Sequence, residues 1–243
     1  MTSRKRIAGD FLYEVYHENS KNFELEALDD VPDSWTEIEY KTYDSTESIP
    51  LSDVDGDIGN LISQRRSTDE FDSGPLELEQ VSQLLGTSMG ITTNQEDPND
   101  QRRAYPSAGA RYPVEAYIFA NSVNGLDEAV YHINTLDNKL ERVNKYSSDY
   151  SLDFISGEES NEAPLIVFLS AVFHRSTEKY ASRGYRYTIL EAGHIMQNLC
   201  LVATELDLAC RPYGGFIEDT ADEFLELPER ETTIYVGLIS STK

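Results

Sequence analysis

Long apolar runs are missing from this chain. The longest, Pro164 to Phe173, has about half the length that a bilayer-spanning helix requires. The basic start, Met1 to Arg6, is followed by acidic and polar residues instead of the apolar core of a signal peptide. The sequence therefore indicates no membrane association and predicts a cytoplasmic protein.

Cysteine is nearly absent. Cys200 and Cys210 lie in apolar sequence without metal-ligand spacing, which is typical of small core residues in a reducing compartment, and a disulfide between them stays open as an alternative. The four histidines are too widely separated to suggest a metal site. The sequence contains no GxGxxG or Walker-type loop, so it supports neither a Rossmann nor a P-loop site.

Positive charge is also scarce. The chain has 20 basic against 44 acidic residues and a net charge of -24. Nucleic acid is not an expected partner, because phosphate binding needs a cationic surface. The acidic residues run through the whole sequence and arginine outnumbers lysine, so a halophilic cytoplasm explains the charge better than a basic partner does.

Apolar residues recur at helical spacing in several segments. Helices are predicted over Gly9 to Ser20, Ile58 to Arg65, Glu77 to Leu85, Tyr187 to Leu206 and Asp219 to Leu225. Gly86 is placed to end the third of these helices.

Five other segments have the composition of strands. They are Val114 to Ala120, Val130 to Ile133, Leu140 to Val143, Leu165 to Val172 and Thr233 to Ile239. Asp137 and Asn138 form a turn between the second and third strands. Because strands and helices are mixed without a phosphate-binding βαβ fingerprint, the predicted class is α+β, with a central, mostly antiparallel sheet flanked by helices.

The region from Asn22 to Asp57 is acidic, contains Pro32 and Pro50 and lacks sustained periodicity. Such a segment is typical of an extended arm on the surface. We therefore predict an N-terminal helix and arm over residues 1–57 and one catalytic domain over residues 58–243.

Arg65, Arg66 and Ser67 follow directly on a predicted helix. Two guanidinium groups and a hydroxyl suit a phosphorylated cofactor, because guanidinium groups bind phosphate oxygens bidentately. The alternative is that these arginines pair with nearby carboxylates such as Asp69 and Glu70.

Two loops contain small residues. One is the turn Pro106, Ser107, Ala108 and Gly109, and the other contains Gly214 and Gly215. Small residues let a flat ring approach the backbone, whose N–H and C=O groups then bond its polar edge. The alternative for each loop is an ordinary structural turn.

Lys179 and Tyr180 are neighbours that could share a proton, since a nearby ammonium favours the phenolate form of tyrosine. This makes them candidates for acid–base catalysis. The alternative is a solvated loop between the strand before His174 and the long helix after Arg183.

Read together, these motifs resemble the SagB-type dehydrogenases of the nitroreductase superfamily over nearly the whole chain. The marks of that family are, in order, Tyr16-His17, Ser20-Lys21, Tyr40-Lys41-Thr42-Tyr43, Ile49-Pro50-Leu51, Arg65-Arg66-Ser67 with Phe71, Tyr105 to Pro113 with Glu115, Tyr131-His132, Gly184-Tyr185-Arg186-Tyr187, Glu191-Ala192-Gly193-His194, Gln197-Asn198 and Gly214-Gly215-Phe216. Their order and spacing are more specific than any single motif.

The resemblance implies a nitroreductase-like fold with FMN at a homodimer interface. It implies that Arg65, Arg66 and Ser67 bind the phosphate and ribityl groups. Pro106, Ser107, Ala108 and Gly109 would be the turn against the isoalloxazine ring, donated by the partner subunit, and Gly214 and Gly215 would lie near the reactive flavin edge. Lys243 is open as a further phosphate contact.

The resemblance also implies an activity, the dehydrogenation of azoline rings in a peptide to azoles by hydride transfer to FMN. Lys179 and Tyr180 match the pair that removes the proton, and Arg111 stands where family members commonly have an aliphatic residue. A cyclodehydratase complex that forms the rings is the implied partner. The alternatives are a nitroreductase or flavin reductase that uses NAD(P)H, and a non-catalytic flavin-binding scaffold of a peptide-modifying complex.

Overall fold

The structure is a computed structural model that describes most of the chain. The described residues are 12–25, 38, 40–43, 48–52, 56–68, 70–93, 97, 100–143 and 151–242. The expected helix start at Gly9, the carboxylate of Asp69 and the open phosphate contact Lys243 lie outside these residues. None of the helices in the described ranges combines the length and the apolar character that a bilayer crossing requires.

A six-stranded sheet forms the centre of the molecule. The strands in chain order are β1 (Leu76–Glu77), β2 (Val114–Ala120), β3 (Val123–Asn124), β4 (Ala129–Asn134), β5 (Lys139–Arg142), β6 (Leu165–Ala171), β7 (Leu208–Tyr213) and β8 (Thr232–Ser241). The large sheet has the order β5-β4-β2-β6-β8-β7, and all of its neighbouring strands are antiparallel. The strands β1 and β3 form a separate parallel pair.

Helices cover both faces of the sheet. They are α1 (Leu12–Ser20), α2 (Asp57–Gln64), α3 (Leu78–Met89), α4 (His174–Tyr180), α5 (Arg183–Glu205) and α6 (Glu218–Phe224), with 3-10 turns at Ala108–Ala110 and Glu158–Asn161. Ile118 and Val167 point to the face that α3 and α5 cover. Their sequence neighbours Phe119 and Phe168 point to the opposite face, where they pack with Phe224 of α6. This alternation confirms the predicted α+β class with a mostly antiparallel sheet.

One local prediction was wrong, and two elements were not predicted. The helix expected to stop at Gly86 continues to Met89 and has Gly90 as its C-cap, because Ser88 and Met89 of the added turn are buried. Strand β7 was not predicted, since Pro212 argues against a central strand; β7 lies at the edge of the sheet, where proline is tolerated. Helix α4 was not predicted either, because seven mostly polar residues show no apolar periodicity.

The strand register defines two ends of the sheet. At the first, Ala171 at the end of β6 pairs with Val114 and with Thr232, the first residues of β2 and β8. We call this the Ala171 end. At the opposite end, which we call the Ser241 end, Ser241 pairs with Leu208. Helix α5 has 23 residues and a length of about 34 Å, enough to run from one end of the sheet to the other.

Candidate active site

The Ala171 end brings together two of the predicted site motifs. The turn from Pro106 to Gly109 leads into β2, and α4, which carries Lys179 and Tyr180, follows β6. Gly109 has φ +63°, and a Cβ atom on it would lie 2.4 Å from Tyr180 Oη and 2.7 Å from Lys179 Nζ. The backbone of the turn therefore lies directly against both polar side chains, and only glycine leaves room for them.

Hydrogen bonds join this turn to α4. Arg111 Nε donates to the carbonyl of Arg175 at 2.9 Å, and the Arg111 guanidinium lies 3.8 Å from the Glu178 carboxylate. Within the turn, the backbone N–H of Tyr112 donates to Ser107 Oγ at 2.9 Å. Arg111, at a position where an aliphatic residue is common in the resembling family, thus connects the two motifs through polar contacts.

A half-buried polar cluster joins α4 to β2 and β4. Arg175 donates to one oxygen of Glu115, and His132 Nε2 lies 3.2 Å from the other. Burial raises the pKa of Glu115, but the hydrogen bond with His132 and the charge of Arg175 outweigh it, so the pKa is lowered overall. The pKa of His132 is raised, chiefly by its hydrogen bond to Glu115 and against the effect of burial. The cluster therefore favours the ionised form of Glu115, placed between the charged forms of Arg175 and His132.

Lys179 and Tyr180 also line a cleft of about 1000 Å³. Lys179 is exposed and Tyr180 is half-buried, with its ring packed edge-to-face on Tyr187 at 5.1 Å between centroids. Carboxylates from several elements line the same cleft: Glu14, Glu18, Glu178, Asp222, Glu229 and Glu231. A smaller cavity of about 290 Å³ between α3 and the β4–β5 hairpin contains none of the predicted site residues. The larger cleft is thus the one in which the lysine–tyrosine pair could meet a substrate.

Glu191 lies on the buried side of the turn. This residue of α5 is 2% exposed, and neither of its carboxylate oxygens makes a hydrogen bond within the described residues. Burial raises its pKa to about 7, although the Ser107 hydroxyl and the Val114 N–H lower it without reaching hydrogen-bond geometry. A carboxyl group in this state holds and releases its proton near neutral pH.

Arg65, Arg66 and Ser67 lie far from this region. Arg65 is the C-cap residue of α2 and lies near enough to Cys200 and Cys210 for its charge to act on both thiols. Cys200 lies near the C-terminus of α5, about 20 Å along the helix from the Tyr187 ring that packs on Tyr180. Within one chain the arginine triplet is therefore close to the Ser241 end, and the lysine–tyrosine pair is at the Ala171 end.

The arginines make few contacts with carboxylates. Arg66 is exposed and donates to the carbonyls of Ser63 and Arg65, both at 2.7 Å, and Arg65 lies 3.5 Å from Ser67 Oγ. Among the residues that the structure describes, neither arginine forms an ion pair, so the alternative pairing with Glu70 is not seen. Uncompensated guanidinium groups in a chain with a net charge of -24 are suited to an anion.

The loop with Gly214 and Gly215 follows β7 and heads toward the Ala171 end of the sheet, two strands away from β6. Gly214 is exposed, with open space around its missing Cβ. The carbonyl of Gly215 accepts hydrogen bonds from the backbone N–H and the Oγ of Ser156, at 2.8 and 2.6 Å. The loop is thereby fixed to the segment before β6, while Gly214 keeps an open face.

The sequence analysis assigned no role to Glu191, Glu115 or Arg175. One signal was available for Glu191, because it lies at helical spacing between Thr188 and Ile195, on the stripe that is buried in α5. An acidic residue on such a stripe needs an explanation. Glu115 stood among the marks of the family resemblance, but nothing in the sequence pointed to its contact with Arg175, since the two residues are 60 positions apart.

The antiparallel sheet flanked by helices, with the turn and α4 at one of its ends, defines the nitroreductase-like fold. The chain belongs to the nitroreductase family, whose sequence profile matches residues 62–239. It is therefore an oxidoreductase of the nitroreductase superfamily, in a family whose members typically bind flavin. The SagB-type resemblance is confirmed at the level of family.

Two relatives illustrate the range of the family. MJ1384 of Methanocaldococcus jannaschii, which is named as a nitroreductase, is 31% identical over 76% of this chain and 92% of its own length. The microcin B17-processing protein McbC of Escherichia coli is 30% identical over 65% of this chain. This chain spans 60% of the length of McbC.

Solved structures agree on the fold. A chain of the Escherichia coli microcin synthetase McbBCD complex with truncated pro-MccB17 bound has a TM-score of 0.77 at 21% identity, covering 99% of this chain and 100% of that one. A nitroreductase-type structure from Anabaena variabilis has a TM-score of 0.65 at 24% identity, covering 76% of this chain and 38% of that one. At these identities the likeness shows the fold alone.

Proposed function

We propose that this protein is an FMN-dependent dehydrogenase that oxidises azoline rings in a peptide to azoles. The observation that carries the proposal is the contact of Lys179 and Tyr180 with the Gly109 backbone at the mouth of a cleft of about 1000 Å³. Azoline oxidation needs a base close to the flavin ring. Lys179 and Tyr180 could act as that base, and they lie against a turn whose backbone a flat ring could approach. The similarity to McbC, a microcin B17-processing protein, supports a peptide substrate.

The chain offers the groups that FMN requires. Gly109 has no side chain to block a flat ring at its position in the turn, and a Cβ there would occupy the space of Lys179 Nζ and Tyr180 Oη. Arg65, Arg66 and Ser67 supply two guanidinium groups and a hydroxyl to a phosphate, and no ion pair occupies the arginines in the described part of the chain. The open face at Gly214 allows a backbone contact to the flavin edge.

The two halves of this cofactor site lie too far apart to serve one FMN within a single chain. The ribityl chain that joins the flavin ring to its phosphate is short beside the separation of about 20 Å along α5 between Cys200, which lies near Arg65, and the Tyr187 ring, which packs on Tyr180. This supports a homodimer in which one subunit binds the phosphate and the other supplies the turn. Apolar side chains left exposed on α2 and α5 are consistent with such an interface: Ile58, Ile62, Ile189 and Leu190.

In the proposed reaction, Lys179 or Tyr180 removes a proton from a carbon of the azoline ring. Bound FMN would accept the two electrons and the second hydrogen that leave the ring. The turn and the α4 helix, joined through Arg111 and Arg175, keep the proton-abstracting atoms at a fixed position relative to the ring. The cleft beside the pair is large enough to hold the neighbouring residues of the peptide.

The proposed partner is a cyclodehydratase complex that forms the azoline rings before this protein oxidises them. The solved McbBCD assembly, which has a truncated pro-MccB17 bound, supports a complex of this kind through its similar fold. A cytoplasmic location and a halophilic source remain predictions.

The test uses a peptide that contains one azoline ring, incubated with the FMN-loaded protein in high salt. Mass spectrometry measures the loss of two hydrogen atoms. We expect Lys179→Ala combined with Tyr180→Phe to abolish the oxidation while the flavin absorption band persists, and the control Lys139→Ala, on the exposed β4–β5 hairpin, to leave it intact. Full activity in the double variant would rule out the assigned catalytic pair.

A second candidate function is a reductase that takes electrons from NADH or NADPH. The observation that favours it is the similarity to MJ1384, a protein named as a nitroreductase. This chain matches 92% of the length of MJ1384. Rapid bleaching of the bound flavin by NADH or NADPH, without azoline oxidation, would favour this function over the dehydrogenase.

A further inference from the structure

Glu191 is a buried titratable group that the proposed reaction leaves without a role. It belongs to α5 and lies beside the Ser107 hydroxyl of the turn. A carboxyl group that is 2% exposed and has no hydrogen bond within the described residues is costly to keep ionised. Such a residue is rarely retained for stability alone.

The two groups that approach the carboxylate belong to the two ends of one segment. The Ser107 hydroxyl belongs to the turn, and the backbone N–H of Val114 is at the first position of β2. Gly109, whose backbone meets the catalytic pair, lies between them. A change of charge at Glu191 therefore acts on both ends of the segment that carries the turn.

We infer that Glu191 is a positioning residue, and that the loss of its proton draws Ser107 and Val114 toward α5 and so changes how the turn meets the flavin and the catalytic pair. The inference rests on the proposed FMN site. The ionised carboxylate attracts the hydroxyl and the N–H, whereas the neutral carboxyl group leaves the Ser107 hydroxyl free to bond elsewhere. The negative charge also disfavours an anionic cofactor close to the turn.

Other charged and titratable groups face the same carboxyl group. They are Arg103 and Tyr105 from the segment before the turn and Arg175 from α4. The two arginines lower the pKa of Glu191, yet burial is the larger effect and the pKa stays at about 7. Glu191 should therefore gain and lose its proton near neutral pH.

The first test locates the proton without any turnover. Infrared difference spectra of the full chain, recorded between pH 5 and pH 9 in constant high salt, report the C=O stretch of a protonated carboxyl group. We expect a buried carboxyl band that disappears with a midpoint near pH 7 and is missing in Glu191→Gln. Ser107→Ala should shift the midpoint upward, because the Ser107 hydroxyl lowers the pKa of Glu191. This second variant keeps the test decisive even where Glu191→Gln folds poorly.

The second test measures FMN affinity by quenching of flavin fluorescence at pH 5.5 and pH 8.5. Relative to Glu191→Gln, the wild type should bind FMN about tenfold more weakly at the higher pH, an effect of the size expected for one buried charge near an anion. The phosphate of FMN titrates in both proteins and cancels in this comparison. Glu205→Gln, an exposed carboxylate on the same helix, is the matched control and should behave as the wild type.

The outcomes separate this inference from the proposed function. Azoline oxidation with no carboxyl band near pH 7, or with the same pH dependence of FMN affinity in wild type and Glu191→Gln, would overturn the role of Glu191 and leave the dehydrogenase assignment standing. A titrating band and a pH-dependent affinity in a protein that does not oxidise azolines would support the positioning role and overturn the substrate.

Discussion

At the scale of single residues, the candidate site depends on the contact of two side chains with one backbone position. A Cβ atom on Gly109 would lie 2.4 Å from Tyr180 Oη and 2.7 Å from Lys179 Nζ, so the pair packs directly against the backbone of the turn. Residues 70 positions apart meet only because β2 and β6 pair along the register that joins Val114 to Ala171. The residue types were predictable, and their contact was not.

Gly109→Ala should disable this contact. Alanine at φ +63° costs roughly 1 kcal/mol of backbone strain, and its Cβ would overlap Tyr180 Oη and Lys179 Nζ, so both side chains must move. We expect azoline oxidation to fall at least about tenfold, as for other small displacements of catalytic groups, while the circular dichroism spectrum is unchanged. Gly86→Ala, in the interior of α3 with open space around it, is the control and should keep full activity. An equally active Gly109→Ala would show that the turn does not position the pair.

At the scale of elements, prediction succeeded where the hydrophobic pattern was strong. Five of the six central strands and helix α5 were recognised, and in all of these except β5 the apolar residues are buried in the pattern that their spacing predicts. The elements that failed, β7 and α4, are short and carry polar residues or proline. Helix α4, which carries the proposed catalytic pair, was thus one of the elements that the sequence pattern did not predict. Its polar contacts with the turn and with Glu115 hold it in place, and it has no apolar face that a periodic pattern would reveal.

The link between β2, β4 and α4 through Glu115 predicts a pH-dependent stability. The pKa of His132 is raised in the folded protein, so its stabilising effect is complete below the unfolded value of about 6.5 and is lost as the pH rises through the folded value. His132→Gln should therefore lower the free energy of unfolding by about 1 kcal/mol at pH 6 and by much less at pH 9. Urea denaturation at constant salt measures the difference, with the exposed His194→Gln as control. An equal loss at both pH values would contradict the ion pair.

At the scale of the whole molecule, the α+β class followed from the mixture of strands and helices, but the strand order β5-β4-β2-β6-β8-β7 did not. Spacing along a sequence says which residues are buried and not which strands are neighbours. The division between an arm over residues 1–57 and a domain over residues 58–243 stays a prediction, and so does the dimer. The net charge of -24 gives no information about the site, and the halophilic source that it suggests stays a prediction.

The length of α5 has a consequence for pairs of inactive chains. In a homodimer with shared sites, a chain with Arg65→Ala and Arg66→Ala lacks only the phosphate ligands, and a chain with Lys179→Ala and Tyr180→Phe lacks only the base. A mixed dimer would collect both defects in one site and neither in the other. Equal coexpression of the two chains should therefore restore about a quarter of the wild-type oxidation, although each chain alone is inactive. If purified mixed dimers show no activity, all the site residues belong to one subunit. Complementation between two inactive variants therefore shows whether each site is formed by one subunit or by both.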